Sequence, residues 1–223
     1  MKMIQIAIDG PSGSGKSTLA KAVSKKYGIV YVDTGALYRT VGLAVLRRGI
    51  SEKDAPAIVA VLPQITVTLT YQNGNQVVLL DGEDVSGLIR TPEIAKYASA
   101  VSAIPEVRAY LLDTQRSIAA QNSVVMDGRD IGTVILPNAQ VKIFLEANDE
   151  ERAQRRYAEL AAKGDTTSYE AVLSGMRGRD KQDSTRAVAP AVPAPDAVHI
   201  DKTTLTPEET LAMISPLIDA ALA

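Results

Sequence analysis

The chain has 223 residues, 46% of them hydrophobic, with 24 Lys and Arg against 26 Asp and Glu, one histidine and no cysteine. That length suits one large α/β domain with an insertion, or two small domains, and the apolar share is ample for a core. Near-balanced charge excludes general binding to a nucleic-acid backbone, absent cysteine excludes disulfides and thiolate metal sites, and the lone His199 excludes a histidine-rich cluster.

The start MKMIQIAIDG leads straight into a strand, and no apolar run reaches the length of a membrane span. Neither secretion nor membrane insertion is expected, and the cytoplasm is the expected compartment. Ile4 to Thr18, IQIAIDGPSGSGKST, places that strand before Gly10-x-x-x-x-Gly15-Lys16-Ser17, with helical spacing behind. Successive N–H groups at a helix N-terminus offer donors and a favourable dipole to polyphosphate, and the glycines allow close approach. Lys16 is placed to reach the β- and γ-phosphates, and the Ser17 hydroxyl to enter the shell of Mg²⁺. The stretch predicts an NTP site without saying what the NTP is for.

Leu19 to Tyr27 predicts a helix capped by Gly28, and Ile29 to Val32 a short buried strand. In Asp33-Thr34-Gly35-Ala36-Leu37-Tyr38-Arg39, Thr34 reads as the N-cap of a helix running to about Arg48 and ending at Gly49. Arg39 reads equally as a solvated charge and as a contact for a second phosphate. An amphipathic helix is expected over Ser51 to Pro63; the period then falls to two in Ile65 to Tyr71. Asn73-Gly74 signals a type I′ turn, with Gln76 to Leu80 as the partner strand. A local antiparallel hairpin marks an insertion into the α/β chain. Asp84 to Gly87 spells D-x-x-G but follows the hairpin, so it reads as a turn.

Pro92 to Ala103 and Glu106 to Ala120 predict helices split at Pro105, on which Ser99 and Arg108 read as surface residues. Ser123 to Met126 is a strand opening into Asp127-Gly128-Arg129-Asp130. Three charged side chains in four residues at a strand's carboxyl end favour a site, with Asp127 holding a water on Mg²⁺. Val141 to Leu145 is a further strand, and Asp149 to Ala162 a charged helix, up to Lys163-Gly164, on which Arg152 reads as a surface residue with acidic neighbours. Ser168 caps a helix to about Gln182, Ala189 to Pro195 forms an extended connector, Ala197 to Ile200 a last strand containing His199, and Thr206 caps the final helix.

Strands alternating with helices predict an α/β fold of the P-loop NTPase type: a five-stranded parallel sheet with helices on both faces, an inserted subdomain with an antiparallel hairpin, and a short lid. Loops after the strands then gather Thr34, Arg39, Asp127, Arg129 and Asp130 near the phosphate loop. Arginines beyond one NTP pocket (Arg39, Arg108, Arg129, Arg179, Arg186) point to a second anionic substrate and to in-line phosphoryl transfer from ATP with no protein nucleophile.

In GPSGSGKST (10 to 18), DTGALYR (33 to 39), DGEDVSGLIRTPEI (81 to 94), DGRDIGT (127 to 133) and the RD, KQ and DSTRAVAP run (179 to 190), the chain resembles the bacterial cytidylate kinases, over essentially its whole length. The resemblance implies transfer of the γ-phosphate of ATP to CMP or dCMP with Mg²⁺, by a monomer acting on small molecules, with no nucleic-acid or membrane partner. ATP contacts are expected at Gly10, Pro11, Ser12, Gly13, Ser14, Gly15, Lys16, Ser17 and Thr18, with Arg156 and the loop after Ile200 as candidates for the adenine, and the catalytic set is Lys16, Asp127, Arg129 and Arg179. CMP phosphate would lie on Arg39, Arg129 and Arg186, its sugar on Arg179 and Asp183, its base on Thr34, Ser99, Arg108 and Asp130. The core would comprise residues 1–34 and 111–223, with a lid at about 150–168, and the CMP-binding insert residues 35–110; insert and lid would close over both substrates. A carboxylate such as Asp130 suits the cytosine amine and would meet O4 of uracil unfavourably. Rival readings are a kinase of UMP, AMP or shikimate type and a nucleotide-dependent switch; the missing Asn-Lys-x-Asp motif opposes the latter.

Overall fold

The computed structural model describes residues 3–72, 74–162 and 164–223. Met1 and Lys2, Asn73 of the expected turn, and Lys163 after the charged helix lie outside the described residues. In chain order the elements are β1 (Gln5–Asp9), α1 (Lys16–Tyr27), β2 (Val30–Asp33), α2 (Thr34–Arg47), α3 (Ala55–Val61), β3 (Val67–Gln72), β4 (Asn75–Leu80), β5 (Glu83–Asp84) and α4 (Pro92–Val101). Then follow α5 (Pro105–Gln121), β6 (Val124–Gly128), β7 (Val141–Glu146), α6 (Asp149–Ala161), α7 (Tyr169–Thr185), β8 (Val198–Asp201) and α8 (Pro207–Leu222). Single turns of 3₁₀ and π-helix occupy Leu62–Gln64 and Ile131–Ile135.

The expected five-stranded α/β sheet is present, in the order β2-β6-β1-β7-β8. β1 pairs in parallel with β6, from Gln5↔Val124 to Asp9↔Gly128, and with β7, from Ile6↔Val141 to Asp9↔Phe144; β8 extends the sheet beyond β7. These strands read as nearly unbroken apolar runs because both faces are covered, which is what a parallel sheet between helices requires. Ile6, Ala7, Ile8, Val124, Val125 and Met126 are fully buried, and α1 and α8 pack on the sheet and on each other. Helix α8 starts in a capping box, Thr206 and Glu209 each bonding the other's backbone N–H.

The chain resolves into two compact units, Met1–Ile29 with Ser123–Ala223, and Val30–Asn122. The second has its own core of Leu37, Val41, Ile58, Ile94, Val101 and Leu111. Its antiparallel sheet keeps the expected hairpin, paired from Val67↔Leu80 to Gln72↔Asn75, and gains β5 as a short third strand. The D-x-x-G stretch leaves β5 at Asp84 and turns at Ser86 and Gly87, with Asp84 accepting from the N–H of Ser86 at 2.9 Å.

Three local expectations change. The N-cap of α2 is Asp33, whose carboxylate accepts from the Ala36 N–H at 3.0 Å, so Thr34 is the first helical residue rather than the cap. Between Ser51 and Pro63 the α-helix is only Ala55–Val61, because Asp54 caps Ala57 N–H and starts the helix late. Helix α7 runs past Gln182 to Thr185. Among the described residues no helix is long and apolar enough to cross a membrane.

Gly10 is the tightest point between β1 and the phosphate loop. A Cβ there would lie 2.1 Å from the Leu145 carbonyl oxygen, and its φ of 144° disfavours any L side chain. Gly28, at φ 65° beyond α1, has nothing within 4 Å of such a Cβ. Gly10→Ala is therefore expected to cost about 3 kcal/mol or more in urea unfolding, against about 1 kcal/mol for Gly28→Ala; equal losses would contradict this packing.

Candidate functional site

Strand β1 ends at Asp9, and the next six residues turn back through Gly10, Gly13 and Gly15 at φ 144°, 73° and 91° before Lys16 opens α1. Helix α1 begins with no side-chain cap and no acidic residue in its first turn, leaving its N–H groups directed into the loop. Lys16 is buried, and its Nζ donates to Pro11 O at 2.5 Å and to Ser14 Oγ at 3.2 Å. Burial first, then the nearby Arg129, holds its pKa well below the ordinary lysine value, while Asp127, Asp9 and Asp180 act against that shift. The ammonium therefore sits in a basin of fixed charges from three other segments.

Ser17 Oγ donates to Asp127 Oδ2 at 2.7 Å, joining the loop to the end of β6. A hydroxyl and one carboxylate are hard oxygen donors, and among the described residues no cluster of three or more acidic, His or Cys side chains could hold a metal by itself. That set fits Mg²⁺, which takes one or two protein oxygens and fills its octahedron with water and phosphate. It would not suit a metal that needs a complete protein cage.

Asp9, which the sequence presents only as the end of a strand, is the buried hinge of the site. Its two carboxylate oxygens accept from the N–H groups of Ile131 and Gly132, each at 2.8 Å, and so fix the π-turn that follows Asp127-Gly128-Arg129-Asp130. Burial pushes its pKa up to about 6, outweighing these two hydrogen bonds, with Asp130 adding to the rise.

Beside the loop, three guanidinium groups meet two carboxylates. Arg129 Nε donates to Asp183 Oδ2 at 3.0 Å, Arg186 lies 3.8 Å from Asp183 and 3.4 Å from Asp130, and Arg179 lies 4.0 Å from Asp183. Arg186 also donates from Nε to Ala189 O at 2.6 Å, where Ala189 adopts φ 50°. A left-handed alanine is costly, and here it turns a carbonyl onto the arginine. Asp130, Asp183 and Arg186 are buried, so the excess positive charge is poorly screened. A cavity of about 490 Å³ opens on Pro11, Arg129, Arg152, Asp180 and Asp183.

Arg152 is not a surface residue. It is 2% exposed, with Nη1 donating to Ser12 O at 2.5 Å and Asp180 Oδ2 at 2.7 Å, Nε to Ala147 O at 3.0 Å, and Nη2 to Asp149. Asp180 in turn accepts from Ser12 N–H at 3.0 Å, so one ion pair holds both polar groups of a loop residue. Asp149 is a local partner on α6, but Ser12 and Asp180 come from distant sequence and draw the side chain inward. Arg156 remains on the exposed side of α6, paired with Glu159 at 3.1 Å.

In the second unit, Asp33 gathers Arg39 at 2.7 Å and Arg90 at 3.2 Å, while Gln76 holds its backbone from β4 at 2.8 and 3.3 Å. Arg39 is mostly buried and its Nε has no hydrogen-bond partner among the described residues. Arg108 is buried rather than on the surface, donating to Ser102 O at 3.1 Å and lying 5.4 Å over the Tyr38 ring, which makes its burial tolerable. Ser99 is half-buried and Thr34 buried. Arg90 and Gln76 were not anticipated; RTPE and the hairpin carry no local signal of contact with Asp33.

A triphosphate loop needs no arginine cluster beside it merely to hold one nucleotide; the pairing suits the small P-loop kinases, which move a phosphoryl group between two anions. Residues 6–220 match the cytidylate kinase family, and the chain belongs to that family. It is 49% identical over 217 residues to a cytidylate kinase of Caldicellulosiruptor bescii, covering 97% of this chain and 96% of that protein. It is 50% identical over 218 residues to one from Limosilactobacillus reuteri strain DSM 20016, again covering 97% and 96%. Shikimate kinase from Bacteroides thetaiotaomicron shares the fold at TM-score 0.50 and 10% identity, over 98% of this chain and 99% of that one.

The raised pKa of Asp9 sets a pH dependence. Its folded value of about 6 lies above the ordinary 3.8, so the folded state binds the proton more tightly, and that stabilisation is complete below about 3.8 and lost as pH rises to about 6. In urea melts from pH 4 to 7, wild type is expected to lose stability relative to Asp9→Asn, by on the order of 3 kcal/mol across that window. A difference that stays flat with pH would show that Asp9 does not titrate there.

Proposed function

We infer that the protein transfers the γ-phosphate of ATP to CMP or dCMP, giving CDP or dCDP. The observation that carries this reading is the convergence of Arg129, Arg179 and Arg186 on Asp183 beside a phosphate loop whose buried Lys16 feels Arg129. Two anion-seeking centres in one unit suit a donor and an acceptor.

The donor role falls to residues 10–18, with Lys16 neutralising the β- and γ-phosphates and Arg156 offered to the nucleoside end. Ser17, and Asp127 through a water, would hold Mg²⁺, which would supply charge neutralisation to the phosphates when bound. Arg129 and Arg186, with Arg39 of the second unit, are proposed for the acceptor phosphate, and Arg179 with Asp183 for the sugar. A phosphate oxygen of the acceptor attacks the γ-phosphorus in line, the bond to the β-phosphate oxygen breaks, and no side chain becomes covalently bound. Arg129 and Arg179 would spread charge compensation over the phosphoryl group in flight. Asp127 and Lys16 keep the leaving oxygen and its partners in register.

For the base, Thr34, Ser99 and Arg108 of the second unit and Asp130 of the first are proposed, on the strength of the family resemblance. Residues 35–110 serve in this reading as the monophosphate-binding insert and residues 150–168 as a lid that helps keep water from the γ-phosphate. The protein is taken to act as a cytoplasmic monomer on small molecules alone; its lack of cysteine suits a reducing compartment.

An ADP-release assay with ATP, Mg²⁺ and a panel of CMP, dCMP, UMP, AMP and shikimate tests the reading directly. CMP and dCMP are expected to support turnover far above the others, and ATP hydrolysis indifferent to CMP would defeat it. Asp130→Ala is expected to lower kcat/KM for CMP roughly 10- to 100-fold, in line with about 1 to 3 kcal/mol for a mispaired buried polar group, and to lower that for UMP much less. Equal losses on the two would remove Asp130 from base recognition.

A further inference from the structure

Lys202 follows β8 and is 5% exposed, an unusual place for an ammonium. Its backbone is fixed by donation to Glu146 O at 2.8 Å, and its side chain lies against the phosphate loop. A Cβ built on Gly15 would meet Lys202 Nζ at 2.9 Å, Cδ at 3.4 Å and Cε at 3.5 Å. Gly15 is the residue that immediately precedes α1, so the lysine is pressed against the uncapped N-terminus of that helix. Among the described residues the ammonium has no hydrogen-bond acceptor.

A second cation shares the place. Arg155 of α6 donates from Nε to Glu151 O at 3.3 Å, but its Nη2 is buried with no partner. Burial first, then Arg155, lowers the pKa of Lys202, and only the more distant Glu208 of α8 acts the other way. Two cations and a helix N-terminus thus face one another with unspent donors, an arrangement that is unfavourable alone and favourable around an anion.

This cluster is distinct from the one around Lys16. Lys16 Nζ is bonded inside the loop, to Pro11 O and Ser14 Oγ, whereas Lys202 Nζ reaches the loop from the end of β8 and lies against Gly15. Two ammonium groups thus meet the loop from different segments, Lys16 from the start of α1 and Lys202 from the end of β8. If Lys16 takes the β- and γ-phosphates, the other ammonium is left for the part of the nucleotide that is not transferred.

We propose that Lys202, with Arg155 beside it, is a direct contact for the α-phosphate of the donor nucleotide, anchoring the portion that stays behind as ADP. The proposal rests on the reading of residues 10–18 as the donor site. It leaves the acceptor and the transferred phosphoryl group to Lys16 and the Arg129 cluster, so Lys202 governs donor affinity rather than the chemical step.

Binding of ADP and of adenosine to the full-length protein, measured by calorimetry, tests this together with steady-state kinetics. Lys202→Met is expected to weaken ADP and to raise KM for ATP by roughly 10- to 100-fold, the span of one buried charge-assisted contact to phosphate. Adenosine affinity, KM for CMP and kcat should stay within about twofold, and Lys202→Arg should recover most of the ADP affinity. Arg155→Met should weaken ADP in the same direction with Lys202 intact, which keeps the test open if Lys202→Met fails to fold in a thermal melt. Unchanged ADP affinity, an equal loss for ADP and adenosine, or a fall in kcat at constant affinity would each overturn the proposal. Because ADP binding needs no acceptor, the result stands even if wild type makes no CDP, an outcome that would defeat only the proposed reaction.

Discussion

At the end of β1 one buried carboxylate accepts two backbone N–H groups from the segment that follows β6, and the geometry of the first unit depends on that contact. Asp9 immediately precedes the phosphate loop, while Ile131 and Gly132 immediately follow Arg129 and Asp130. The two strands are already parallel neighbours, so the carboxylate fixes what the sheet alone leaves open: the direction in which the chain leaves β6. Burying that charge is costly enough to raise the Asp9 pKa to about 6. The cost is accepted where two loops must keep a fixed separation, since the two carboxylate oxygens each accept one of the two N–H groups.

The same logic recurs around the loop. Ser12 is held through its N–H by Asp180 and through its carbonyl by Arg152, so a single buried ion pair satisfies both polar groups of a peptide that no strand or helix could satisfy. Lys16 satisfies its ammonium on Pro11 O and Ser14 Oγ, and Ser17 on Asp127. A glycine-rich loop is free to adopt many conformations; these contacts from β6, α6 and α7 select one of them. Preorganisation of that kind lets backbone N–H groups meet phosphate without a further cost of ordering.

Much of this was legible in the sequence, and the failures have common causes. The phosphate loop is written in consecutive residues because its geometry is a property of local backbone, and the five strands announced themselves because burial on both faces demands unbroken apolar runs. Arg108 and Arg152 read as surface residues because periodicity counts an arginine as polar, whereas their burial depends on partners far along the chain: Tyr38 for one, Ser12 and Asp180 for the other. The α2 cap shifted from Thr34 to Asp33 because a carboxylate competes better than a hydroxyl for the first N–H groups when both are available. Asp9 looked like punctuation, as any polar residue at the end of a strand does. Its weight comes from contacts with Ile131 and Gly132, more than a hundred residues further on, which no local pattern records.

Charge distribution explains why the arginine cluster stays ordered without collapsing onto its own carboxylates. Arg129, Arg179 and Arg186 share Asp183, and Arg186 also reaches Asp130, so three guanidinium groups are held by two carboxylates. A guanidinium carries five N–H groups and a carboxylate accepts along four directions at most, so one acid can be shared among several arginines. Full neutralisation would have produced a rigid structural network with little affinity for a further anion; removing both acids would have left three neighbouring cations, the Arg186 side chain among them buried, to repel one another. Two carboxylates among three arginines lie between these limits: enough negative charge to hold the side chains in position, with positive charge remaining in excess.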